Sequence, residues 1–98
     1  MLFRSLRDVY LDKAFIGITG FDLERGVTTL ESEEAAVSLA MLRNAKRVIV
    51  VADSKKIGHV SPALICPISA VHVLVTDHDI PKHVHDELIA RGIEVVLA

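Results

Sequence analysis

A chain of 98 residues buries only about two-thirds of the surface it exposes when unfolded, so one modest core is all it can build. Hydrophobic residues make up 51% of the chain but only three Phe and one Tyr are aromatic, which leaves Val, Ile, Leu and Ala as core material. A formal charge of −2 without a Lys/Arg-rich face excludes an independent grip on nucleic acid, and no apolar run approaches the roughly 18 residues that read as a membrane span.

Leu2, Leu6 and Val9 or Tyr10 recur at helical spacing, so residues 1–9 read as the end of a helix, too polar for a signal peptide. Residues 14–18 make a short strand, followed by a polar loop containing Gly20, Asp22 and Gly26. Ser32 is the expected N-cap of a helix, with Glu33 and Glu34 at its positive end. That helix runs to about Asn44, its inner side formed by Ala36, Leu39, Ala40 and the stem of Arg43. Residues 47–52 are the second strand, and 58–69, with Pro62 and Pro67, a crossover loop. Residues 71–76 form the third strand. Pro81 opens a helix with Val84, Leu88 and Ile89 as its apolar stripe, Gly92 is its C′ residue, and 93–97 is the last strand. Strands alternating with helices predict right-handed parallel crossovers and an α/β layered fold. A sheet of four short strands leaves at least one edge open.

The chemistry concentrates in VIVVADSKKIG, residues 48–58. Its continuous apolar run suits a strand covered on both faces, and ligands of such sheets bind beyond the carboxyl ends of the strands. Asp53, Ser54, Lys55 and Lys56 project there, a carboxylate beside two ammonium groups that suits a hydroxylated, anionic small molecule. The plain alternative is a solvated turn with an ordinary ion pair. His72, His78, His83 and His85 cluster with Asp77 and Asp79, but His83 and His85 stand two apart and point in nearly opposite directions on a helix. A solvated loop and helix face accounts for them better than a metal site. The single Cys66 excludes an internal disulfide, suits a reducing cytosol and reads as a small buried filler rather than a nucleophile.

Five segments resemble, in order and spacing, the DeoR family of bacterial transcription regulators. Residues 12–22, DKAFIGITGFD, are similar to that family's "D-K-A-F-(I/L)-G…G-(I/F)-D" strand and loop. Gly26-Val27-Thr28 matches its "G-(L/V)-T" turn, Glu34-Ala35-Ala36-Val37 its "E-A-x-V" helix start, residues 51–58 its "V-A-D-x-S-K-(F/I)-G" signature, and residues 73–77 its "(I/L)-(I/V)-T-D" strand end. Lys55 departs from the pattern, standing where the family has Ser.

The resemblance implies a fold similar to ribose-5-phosphate isomerase and the sugar-phosphate deaminases, with a phosphorylated sugar as effector. DeoR regulators carry an N-terminal winged helix-turn-helix, then an effector domain that opens with a glycine- and threonine-rich phosphate loop. Neither matches any part of residues 1–98, which are therefore expected to be a partial effector domain, meeting DNA only through a domain outside them. A cytoplasmic homo-oligomer without cofactor or metal is expected. Lys56 would supply a cation, Asp53 would accept from sugar hydroxyls, and backbone N–H groups around Gly17, Thr19 and Gly20 would approach the ligand. Glu34 falls where the related isomerases place an acidic group, with dipole complementarity as its plain role. Asp22 is the last candidate, with a turn residue bonding its own backbone as the alternative. No base–orienter pair or nucleophile motif is present, so catalysis is not expected. The alternatives are an isomerase-like enzyme and a non-sensing oligomerisation fragment.

Overall fold

The computed structural model of the protein describes residues 11–98, so the helix end expected over residues 1–9 lies outside the described residues. Within them the order is β1 (Leu11–Gly17), β2 (Gly20–Asp22), β3 (Gly26–Thr29), α1 (Ser32–Arg43), β4 (Ala45–Val51), β5 (Ala63–Cys66), β6 (Val73–Thr76), α2 (Lys82–Ala90) and β7 (Glu94–Leu97). Strands β1, β4, β6 and β7 form a parallel sheet in that spatial order, and β2, β3 and β5 form a second, antiparallel one. The layered α/β fold expected from the alternation is present, with the small sheet as an addition.

Register decides which side chains meet. Ile16 aligns with Val50, and Val50 with Leu74, so these three line one face of the parallel sheet. They share one core with Phe21, Val27 and Ile65 of the small sheet, Ala35 of α1, and Val84 and Leu88 of α2. Spatial order here follows chain order in one direction, and right-handed crossovers then send every connection to the same side. The opposite face carries the row Phe15, Ile49 and Val73, of which Phe15 stays exposed while the other two are buried.

The departures from the sequence reading are local. β1 starts three residues early because Leu11 pairs with Ala45 and its N–H bonds to the Asn44 carbonyl at 2.7 Å; Asp12 and Lys13 are solvated but lie inside the strand. The polar loop after β1 is a hairpin, with Phe21 opposite Val27 and both fully buried. The crossover expected over 58–69 contains β5, which pairs with β3, and the start of a 3-10 turn at Ile68–Ala70. Strands of three or four residues hold too few alternations to announce themselves against their polar and proline-containing surroundings.

Ser32 is the first residue of α1 rather than its cap; Glu31 holds the cap position, its carbonyl accepting from the Ala35 N–H at 3.0 Å. The helix is turned about one residue from expectation. Ala35 is buried and Leu42 packs on the core, while Ala36 and Arg43 are exposed. At α2 the stripe narrows to Val84 and Leu88, leaving Ile89 exposed. The predicted stop is in place: the Ile93 N–H reaches the Leu88 carbonyl at 2.9 Å and the Gly92 N–H the Ile89 carbonyl at 3.0 Å, a Schellman closure. Gly92 adopts φ +84°, which a side chain would strain, and thereby aims the chain from α2 into β7.

Candidate functional site

The carboxyl ends of β1, β4 and β6 lie side by side, because Gly17 aligns with Val51 and Val51 with Val75. Beyond them β4 runs into a 3-10 turn at Ser54–Lys56. Asp53 caps this turn, its Oδ1 accepting from the Lys55 N–H at 3.0 Å, and its Oδ2 stands 3.9 Å from the Lys56 ammonium. The pair is largely solvated, so it orders the turn more than it stabilises the fold. Asp77, just past β6, secures the turn from the neighbouring strand. Its Oδ2 accepts from the Ser54 N–H at 2.8 Å and its Oδ1 from the Asp79 N–H at 2.9 Å. The Ser54 N–H and hydroxyl, then the Asp79 N–H, hold the Asp77 carboxyl below the usual carboxylate range, so it stays ionised at neutral pH.

Hydroxyls gather on the β1 side of this rim. The Thr19 N–H donates to the Thr28 carbonyl at 3.1 Å, and Thr19 Oγ1 lies 2.6 Å from Ser61 Oγ. The Ser61 N–H in turn donates to Thr28 Oγ1 at 2.9 Å. Gly20 sits inside this knot: a Cβ there would come within 2.3 Å of Thr28 Oγ1 and 2.6 Å of the His59 carbonyl. The space glycine leaves at position 20 is thus filled by the protein's own atoms. At Gly17, by contrast, an added Cβ would meet nothing within 4 Å. The loop between β4 and β5 also leans on the small sheet, where the Gly58 N–H donates to the Phe21 carbonyl at 2.7 Å.

Of the residues singled out from sequence, Gly17, Asp53 and Lys56 follow the aligned carboxyl ends of β1 and β4, and Thr19 and Gly20 belong to the hydroxyl cluster just past Gly17. Asp22 closes the β2–β3 turn, accepting from the Glu24 and Arg25 N–H groups at 3.1 and 2.8 Å, and lines a cavity with Ile57 and Gly58, just past the Lys56 turn. Glu34 is exposed in the first turn of α1 and accepts from the Thr29 hydroxyl at 3.3 Å. Asp77, which secures the Ser54 turn, and buried Ser61 and Thr28, which hold Thr19, are additions that the residue types alone do not single out. Asp77 carried a signal, since it ends the "T-D" strand; Ser61, inside an apparent loop, carried none. Burial pushes the Cys66 thiol up to about 11, which leaves it protonated and unreactive as expected of a filler. His72 accepts the Val48 N–H at Nδ1 (2.9 Å), a backbone-bridging role, and no metal-ligating cluster is present among the described residues.

A parallel-sheet rim that offers a fixed carboxylate, an ammonium and hydroxyls is suited to hold a small polar molecule. The comparisons agree with a sensing class. Residues 2–78 match the family described as "DeoR C terminal sensor domain". The chain is 35% identical over 94 residues to a putative aga operon transcriptional repressor of Escherichia coli O157:H7, covering 96% of this chain and 35% of that protein. It is 32% identical to the HTH-type transcriptional repressor GlcR of Bacillus subtilis over 95% of this chain and 36% of that one. The HTH-type transcriptional regulator GlpR of Haloferax volcanii is 29% identical over 87% of this chain and 33% of its own length. The chain belongs to the DeoR family of transcription regulators, matching its C-terminal sensor domain. It spans about a third of the length of these relatives.

Proposed function

We propose that this chain is the effector-sensing part of a DeoR-family regulator, binding a phosphorylated sugar at the β1–β4–β6 rim. The observation that carries the reading is the Ser54–Lys56 turn: capped by Asp53 and tied to the next strand by Asp77, it presents Lys56 as a positioned cation. Lys56 meets the phosphate or a ring oxygen, Asp53 accepts from sugar hydroxyls, and the open backbone at Gly17 allows close approach. Binding modulates DNA occupancy only through differential affinity for two arrangements of the intact, cytoplasmic, oligomeric regulator. The DNA-reading part belongs to the region of the relatives outside these 98 residues. Glu34 and Asp22 are instead engaged by local hydroxyl and backbone groups. The chain performs no catalysis in this reading, since sensing needs differential affinity and not a base.

Backbone amide NMR shifts during titration with ribose 5-phosphate and fructose 6-phosphate test the placement. Perturbations centred on Thr19, Ser54, Lys56 and Asp77 are expected. Perturbations confined to α1 around Glu34, with turnover lost in Glu34→Gln, would favour the isomerase-like reading instead.

A further inference from the structure

We infer that Ser61 is a positioning residue of the effector site, holding the Thr19 hydroxyl as an outward-facing hydrogen-bond donor; this rests on the sensor reading above. Thr19 Oγ1 and Ser61 Oγ are 2.6 Å apart, and either oxygen has the geometry to donate. Burial decides the direction. Ser61 is 5% exposed, and among the described residues its hydroxyl has no partner except Thr19. A buried O–H left without an acceptor costs roughly 1–3 kcal/mol, far more than an unused lone pair on a half-buried oxygen. Ser61 therefore donates and Thr19 accepts.

Each hydroxyl carries one proton. With its oxygen occupied by the Ser61 proton, Thr19 has its own O–H left to give, and half-buried Thr19 lies two residues past Gly17, whose partner Val51 ends β4. The Ser61 backbone is itself fixed, because its N–H donates to Thr28 Oγ1 and the Thr19 N–H is held by the Thr28 carbonyl. The three residues form a short relay from the core of the small sheet to the rim. Its outlet is a donor, so it recognises an oxygen that accepts: a phosphate oxygen or a sugar oxygen. It adds a neutral donor to the cation of Lys56.

The test measures affinity by calorimetry for ribose 5-phosphate, fructose 6-phosphate and inorganic phosphate, with ligand-free unfolding temperature recorded for each variant. Ser61→Ala should weaken ribose 5-phosphate or fructose 6-phosphate binding by about three- to tenfold. Thr19→Val should do the same, and Thr19→Ser, which keeps the hydroxyl, should retain wild-type affinity. In the Thr19→Val background Ser61→Ala should cost no further affinity, which a merely structural role would not reproduce. A matching loss for inorganic phosphate would assign the donor to a phosphate oxygen; an unchanged phosphate affinity would assign it to a sugar oxygen. If Ser61→Ala fails to fold, Ser61→Cys keeps the volume with a weak S–H donor and carries the same expectation. A wild-type affinity in the Ser61 variants, or equal losses with and without the Thr19 hydroxyl, overturns the inference alone. A wild-type chain that binds none of the probes overturns the sensor reading and this inference with it.

Discussion

Asp77 does at one residue what the rim requires of several, because its two carboxylate oxygens accept from backbone N–H groups on different segments, Ser54 and Asp79. Both bonds favour the ionised form, which is why its pKa falls below the ordinary 3.8. A carboxyl with a depressed folded-state pKa contributes stability that is complete above the unfolded value and is lost as pH falls through the folded one. Thermal unfolding against pH should show Asp77→Asn less stable than the wild type near neutrality, with the two converging in strongly acidic buffer. A gap that stays constant down to the lowest pH would mean the carboxylate charge is not what holds the turn. Asp53 and Lys56 were legible from residue types alone, since charged groups after an apolar run mark a strand end. The partner that fixes them was not, because Asp77 lies more than twenty positions away and only the β4–β6 pairing brings it near.

At the scale of elements, the parallel strands and both helices could be read because each carries a run or stripe of apolar residues several positions long. The small sheet could not. β2 and β5 have three and four residues, and their pairing through β3 is set by Gly20, Phe21 and Val27 packing rather than by any periodic pattern. α1 illustrates a subtler limit. Ala35, Ala36, Leu39 and Ala40 offer two overlapping apolar faces, and packing against β5 selects the one that contains Ala35. The missing Cβ of Gly20 lets β2 sit against Thr28 and the His59 carbonyl, and the latter is backbone that cannot rotate away. Gly20→Ala should destabilise the chain by about 1–3 kcal/mol in chemical denaturation, the usual cost of forcing atoms into a packed site. An unchanged midpoint would show that the loop carrying His59 and Ser61 yields freely at this contact and is not held by it.

For the whole molecule, right-handed crossovers put the connections on one face of the parallel sheet, and Asp53, Lys56 and Asp77 stand at its carboxyl end. The family match, over residues 2–78, takes in that end, Asp77 and one residue beyond included. The fold class and family were legible because five motif segments keep their order and spacing over the chain. The identity of the effector was not, because contacts between distant segments, such as Thr19–Ser61, are announced by no local pattern. Among the described residues no helix is long and apolar enough to cross a membrane. The proposed ligand, anionic and hydroxylated, suits the mixed charge of the rim. Binding selectively to the folded state must raise stability: a ligand at one hundred times its dissociation constant adds about 2.7 kcal/mol, several degrees for a domain of this size. Thermal unfolding of the chain against a panel of pentose and hexose phosphates, with inorganic phosphate as control, is therefore the most direct measurement. Sugar-phosphate sensing at the Ser54–Lys56 turn requires a selective upward shift that disappears in Lys56→Ala; a folded chain whose unfolding temperature ignores every sugar phosphate, or shifts equally in Lys56→Ala, would refute it.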